Sequence, residues 1–317
     1  RYNDWYMAYS FWNWTAENVT GATQLDAWLR LQCTHLSNPD TGKGVEWKDE
    51  MINVRVLDKT GDEIVAANNL YGGTIGSLSG TMAGMGFKTH FINPTDLEAL
   101  KAAINDKTKI IFVESVGNPN GDMLDFEAIS AIAKEYQILF VVDNTTPTPY
   151  LFKPIEYGAD LVVYSTTKYL AGHGNVMGGV IVDSGNFKWK DNPRYPLFNM
   201  PDKAYHDIVY ADLGAGAFCT KAVAKTLRDL GGCMSPFNAY MTLLGLETLS
   251  LRMKKHVENA RLLAKFLNEC DDVEWVSYAE LPDSPNYELA KNNFPNWFWL
   301  DYILLESKVV LLVVNSN

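Results

Sequence analysis

Three short runs in the middle of the chain, KIIFVES (109–115), ILFVVDN (138–144) and DLVVYS (160–165), are apolar almost from end to end. A strand with one face in water alternates apolar and polar residues; these do not, so both of their faces must be covered. The segments between them supply the cover. FEAISAIAKEY (126–136) places Phe126, Ile129, Ile132, Ala133 and Tyr136 on one helical stripe, and DLEALKAAI (96–104) does the same with Leu97, Leu100 and Ile104. DEIVAAN (62–68), KTHFIN (88–93) and GGVIVD (178–183) read as further strands, with a glycine-punctuated helix between the first two. Strands alternating with amphipathic helices predict an α/β fold with a mostly parallel sheet flanked by helices.

Ligands of such sheets bind beyond the carboxyl ends of the strands. That rule selects Glu114, Asp143 and the segment Ser165–Lys168 as candidates for one site. Lys168 follows an apolar strand and three hydroxyl residues and precedes Gly172 and Gly174. Taken alone, such a lysine is more often a solvated loop residue. In a pocket walled by glycine backbone, however, its amine can lose its charge through desolvation and act as a nucleophile. It can then hold a carbonyl cofactor as a Schiff base. Pyridoxal 5'-phosphate (PLP) is the common case, and its ring nitrogen needs a carboxylate opposite it.

Asp143 ends the strongest apolar run, where an acid is costly unless paired. Singly, it reads equally well as a turn acid in Asp-Asn-Thr-Thr-Pro. Ser165 and Thr167 carry hydroxyls suited to phosphate oxygens or to ordinary turns. Tyr71, in LYGGT after another strand, is a core-edge tyrosine or a ring-stacking one, and Asn118 is a turn asparagine or a donor to the cofactor phenolate.

Together these residues form a recognisable pattern. D-N-T-x-x-T-P-Y (143–150) followed by S-x-T-K-Y-x-x-G-H-G (165–174) resembles the attachment region of the Cys/Met-metabolism family of PLP-dependent enzymes. LRDLGGCMSPFNAYMTLLGLETLSLRMKKHVENA (227–260) is similar to its O-acetylhomoserine sulfhydrylase branch, and the likeness runs from about Gly61 to Phe294. The resemblance implies an aspartate-aminotransferase-like fold (fold type I): a PLP-binding α/β domain over 61–234, then a long helix and C-terminal region over 235–317, after an N-terminal arm over 1–60. It assigns Lys168 to the Schiff base, Asp143 to the ring nitrogen, Ser165 and Thr167 to the phosphate, Tyr71 to ring stacking and Asn118 to the phenolic oxygen. The implied reaction is sulfhydrylation of O-acetyl-L-homoserine with sulfide to L-homocysteine and acetate, with Lys168, Tyr71 and Asp143 catalytic. The implied assembly is a homotetramer built from active-site-sharing dimers. Methionine γ-lyase or cystathionine γ-synthase activity is the nearest alternative.

The pattern also has departures. The family's Tyr-x-Arg before L-S-N-P is Cys33-Thr34-His35 here. Its phosphate-cradling loop has no match between Pro39 and Gly61, and its carboxylate-binding arginine has none after Phe294. Loss in blocks is expected of an interrupted sequence more than of gradual divergence. It also motivates a reading of another class, a non-catalytic homologue acting as an assembly subunit. Composition excludes other classes. A net charge of −11 opposes nucleic-acid binding, and no apolar run is long enough to span a membrane. RYNDWYMAYSF lacks signal-peptide order, and four dispersed cysteines suit a reducing, cytoplasmic compartment. Five histidines without ligand spacing imply no metal site.

Overall fold

The computed structural model describes residues 61–117, 121–231 and 233–293, together with the backbone of 302–307 and 311–315. Six strands form one sheet: β1 (Glu63–Ala67), β2 (Lys88–Ile92), β3 (Thr108–Glu114), β4 (Leu139–Asp143), β5 (Leu161–Ser165) and β6 (Gly179–Asp183). Their order is β2-β1-β3-β4-β5-β6; the first five are mutually parallel and β6 is an antiparallel edge. The fully apolar runs are the inner strands, as their lack of alternation requires. Ile111, Val142, Phe140 and Val162 are all buried. The edge strand β6 keeps Val180, Ile181 and Val182 exposed.

Helix positions follow local chemistry. Asp96 caps α2 (Leu97–Ala103) by accepting from Ala99 N, and Asp125 caps α3 (Phe126–Glu135) by accepting from Ala128 N. Four of the five stripe residues of α3, Phe126, Ile129, Ile132 and Ala133, are buried. The glycine-rich segment after β1 starts with α1 (Gly72–Gly76) and continues through a wide turn at Ser77–Thr81.

The sheet's two edges differ. At the amino ends of β3 and β4 a structural clasp closes the core. Leu139 N donates to Tyr195 Oη at 2.9 Å, and Tyr195 Oη donates to the Lys109 carbonyl. Arg194 reaches the carbonyls of Asn105, Thr108 and Tyr136. Trp189 stacks on Phe198 with centroids 3.8 Å apart. The candidate residues lie at the carboxyl edge.

Beyond Ser235, which caps α4 (Pro236–Glu247) by accepting from Asn238 N, the periodicity suggests helices over 235–253 and 256–269. The observed break falls earlier, at Thr248, and α5 (Leu249–Asn268) runs unbroken through Lys254 and Lys255. Two lysines in sequence are compatible with a helix that exposes both, whereas Thr248 leaves the helical range at φ −104°, ψ 2°. A second sheet, order β7-β8-β9, joins β7 (Val273–Ser277) to β8 (Tyr302–Ser307) and β9 (Leu311–Asn315). No helix among the described residues is long and apolar enough to cross a membrane.

Asp160, just before β5, is buried and accepts from Phe140 N at 2.9 Å. Burial pushes its carboxyl up to about 6, and the hydrogen bond from Phe140 only partly offsets this. The folded state therefore holds its proton more tightly than the unfolded chain, so this group's contribution is intact below about pH 4 and is lost as pH rises through about 6. Asp160→Asn keeps an acceptor for Phe140 without the titration. The variant should gain on the native chain by up to about 3 kcal/mol between those pH values, measured by denaturant unfolding. Parallel stability curves would contradict this.

Candidate active site

Glu114 pairs with Asp143 across β3 and β4, and Asp143 pairs with Val163 across β4 and β5. Side chains alternate along a strand, so Glu114, Asp143, Val163 and Ser165 share one face at the carboxyl edge. The pairing thus brings three of the sequence's candidate segments together.

Asp143 Oδ1 accepts twice from Thr145, from its backbone N at 2.9 Å and its Oγ1 at 2.6 Å. This is an Asx turn, the local bond that Asp-x-Thr favours. Thr145 Oγ1 in turn accepts from Ser165 N at 2.8 Å, which ties the end of β4 to the end of β5. Oδ2 takes no hydrogen bond, and no cation pairs with the carboxylate, among the described residues. Burial pushes the Asp143 carboxyl up, with the Thr145 bonds opposing. Such an acid is poised for a cationic N–H donor.

The neighbouring loop is held from below. Asn144 is fully buried and its Nδ2 donates to the carbonyls of Thr148 and Phe152 and to Tyr164 Oη. That bracing holds Thr148 at φ +61°, a position costing about 1–3 kcal/mol for a β-branched residue.

After Ser165 the chain forms a turn over Thr166–Leu170. Ser165 Oγ and Thr166 Oγ1 are buried without a hydrogen-bond partner, and Thr167 Oγ1 accepts from Gly178 N at 3.2 Å while its proton stays available. A Cβ at Gly178 would lie 2.5 Å from Met234 Cε and 2.7 Å from Thr166 Oγ1, so a glycine there lets Thr166 and Met234 pack closely against its backbone. Lys168 interrupts the turn with φ −86°, ψ −129°. Its side chain is exposed and makes no hydrogen bond or ion pair among the described residues. The expected desolvating wall around its amine is therefore not supplied by residues 61–293; the glycines of 172–174 open the loop without enclosing it.

Tyr71 stands at the start of α1 with 41% of its surface exposed. Its ring lies over Gly73, where a Cβ would come within 2.5 Å of Cε1. Glu114 accepts from Tyr71 N at 2.6 Å, so this buried carboxylate anchors the tyrosine's backbone. The sequence marked Glu114 as a ligand candidate; its observed bond is to the protein. Thr145 and Asn144 were not singled out, although the Asx-turn spacing announces the first. Asn118, Cys33, His35 and the stretches 39–60 and 294–301 lie outside the described residues.

Among the described residues, a half-buried carboxylate without a cation, two buried hydroxyls without a partner, an unpaired amine and an exposed aromatic ring together fit a flat cationic heterocycle that bears an anion. Comparison with known proteins points the same way. Residues 50–304 match the family described as Cys/Met metabolism PLP-dependent enzyme. The chain is 43% identical over 251 residues to an O-acetyl-L-homoserine sulfhydrylase of Leptospira meyeri, covering 76% of this chain and 57% of that protein. It is 44% identical over 245 residues to a homocysteine synthase of Schizosaccharomyces pombe, again 76% of this chain and 57% of the relative. Among solved structures, a Campylobacter jejuni protein containing N'-pyridoxyl-lysine-5'-monophosphate superposes with a TM-score of 0.75 at 36% identity, covering 78% of this chain and 62% of that one. The chain thus spans less than two thirds of the length of these relatives.

Thr145→Val keeps the shape of Thr145 while removing the oxygen shared by Asp143 and Ser165. It leaves Ser165 N unpaired and should lower unfolding stability by about 1–3 kcal/mol in the cofactor-free protein. A change within about 0.5 kcal/mol would show that Thr145 does not join the two strand ends.

Proposed function

This chain belongs to the family of Cys/Met metabolism PLP-dependent enzymes, and on that premise we propose that it converts O-acetyl-L-homoserine and sulfide to L-homocysteine and acetate. The observation that carries the reading is Asp143, a half-buried strand-end acid with no cation among the described residues, one strand from the Lys168 turn. The names of the relatives support the choice of substrate.

Lys168 would hold the cofactor through its amine, and Asp143 would face its ring nitrogen. Ser165 and Thr167 would meet the phosphate, Tyr71 would stack on the ring and Asn118 would lie near the phenolic oxygen. Bound there, PLP supplies an electron sink for negative charge developing at the substrate's Cα. Asp143 would keep that sink effective by stabilising a proton on the ring nitrogen. Lys168, with its amine free, would take the Cα proton and then a Cβ proton, and would return both as the product forms. The electron pair left at Cβ would expel acetate from Cγ with its bonding electrons, and hydrosulfide would form the new C–S bond there. The exposure of Lys168 suits a base that must meet a substrate arriving from solvent.

The proposal includes the division at Ser235 between the cofactor-binding region and a C-terminal region. It also includes assembly as a homotetramer of active-site-sharing dimers and a cytoplasmic location, in keeping with the absence of a membrane-spanning helix among the described residues.

Purified protein supplied with PLP and O-acetyl-L-homoserine should release homocysteine only when sulfide is added. Asp143→Ala should lower kcat by about 10²–10³-fold. Formation of 2-oxobutyrate and ammonia regardless of sulfide would replace the reading with a lyase. No turnover with either, together with no visible absorption from bound cofactor, would favour the non-catalytic subunit.

A further inference from the structure

The turn that carries Lys168 is gripped from behind by one arginine of α5. Arg252 Nη1 donates to the Tyr169 carbonyl at 2.8 Å and Nη2 approaches the Leu170 carbonyl at 3.5 Å. Nη2 also donates to the Gly245 carbonyl at 2.7 Å, and Nε to Thr248 Oγ1 at 3.1 Å. The guanidinium therefore joins the two residues after Lys168 to the last turn of α4. No carboxylate pairs with it among the described residues, and it is half-buried. Its partners are neutral oxygens, so its placement is set by hydrogen-bond geometry and not by ion pairing.

Two glycines make the grip possible. Gly172, at φ +72°, ends the lysine turn, and a Cβ there would lie 2.2 Å from Arg252 Nη1. Gly245 faces the same loop from α4, where a Cβ would lie 2.2 Å from the Ala171 carbonyl oxygen. One turn beyond Arg252 on α5, the His256 ring packs on Tyr169 with centroids 5.2 Å apart. Carbonyls at the end of a short helical turn have no following turn to satisfy them, and a planar fork of donors suits them.

We infer that Arg252 is a positioning residue that holds the non-helical backbone at Lys168 and thereby aims its amine. The inference rests on the proposed role of Lys168. A helical turn would carry φ and ψ near −63° and −42°, whereas Lys168 has ψ −129°. Without the guanidinium bound to the next two carbonyls, the turn is free to relax toward the helical value, which rotates the lysine's side chain about the backbone. The amine then remains available to bind cofactor but meets the substrate's Cα proton in the wrong place. Misplacement by about 1 Å can cost about 10²-fold in rate.

The test compares the PLP-loaded full chain with Arg252→Ala and Arg252→Lys, and with Arg261→Ala as a control from the same helix whose side chain bonds Glu280 instead. Both Arg252 variants should lose about 10²-fold in kcat with KM nearly unchanged. The visible band of the lysine-bound cofactor should shift its pH midpoint by about one unit. Added guanidinium ion should restore part of kcat in Arg252→Ala, while Arg261→Ala should need no rescue. Lysine, a single point donor, should fail to replace the fork. Native kcat and pH midpoint in Arg252→Lys would overturn the inference. Failure of Arg252→Lys to fold would also overturn it, because Arg252 would then serve the fold and not Lys168. Lys168→Ala separates the two readings. If that variant keeps the native visible band and turnover, the role of Lys168 falls; if it loses them while the Arg252 variants behave as native, only the present inference falls.

Discussion

A carboxylate at the end of an inner strand, with apolar side chains behind it and no cation beside it among the described residues, is the constraint on which the carboxyl edge is built. Asp143 sits where the sheet's register turns buried backbone into an open edge. Ionised and unpaired, it would be destabilising; protonated, it has one oxygen held by Thr145 and the other without a bond among the described residues. Neither state is satisfied by the described residues alone. A ring N–H carrying positive charge would resolve both problems, and the proposed role of Asp143 rests on that match. The buried, unpartnered hydroxyls of Ser165 and Thr166 repeat the argument one strand away.

The opposite edge shows what a purely structural solution looks like. There, Tyr195 and Arg194 take up the carbonyls and amides at the strand starts, and the aromatic cluster around Trp189 excludes water. The buried acid Asp160, just before β5, receives a backbone donor. The proposed site lies at the edge where Ser165 Oγ and Thr166 Oγ1 lack a hydrogen-bond partner among the described residues. At the unsatisfied edge the protein still spends stability on geometry: Thr148 is held at positive φ and Lys168 outside the helical range, each braced by a polar side chain with several donors.

The inner strands were legible because they are apolar on both faces, a pattern that few alternatives produce. Asp143 and Lys168 stand out by position, since an acid and an amine at adjacent strand ends are conspicuous in such a sequence; the roles proposed for them come from the family resemblance. The break at Thr248 was not legible, because Leu246, Leu249 and Met253 keep helical spacing across it and only the backbone angles of Thr248 leave the helical range. Arg252 was hidden for a different reason. Its partners are backbone carbonyls, which carry no sequence signature, and its reach depends on Gly172 and Gly245, which look like ordinary loop and helix glycines. Exposure of Lys168 was also unreadable from neighbouring residues, because enclosure is a property of segments distant in the chain.

The central claim is that the cofactor is attached at Lys168 and at no other lysine. Borohydride reduction of the PLP-loaded protein, followed by digestion and mass spectrometry, tests it directly. The account predicts one pyridoxyl-modified peptide, containing Ser165, Lys168 and Tyr169. Modification at Lys153 or Lys188 instead, or no stable adduct at all, would contradict it.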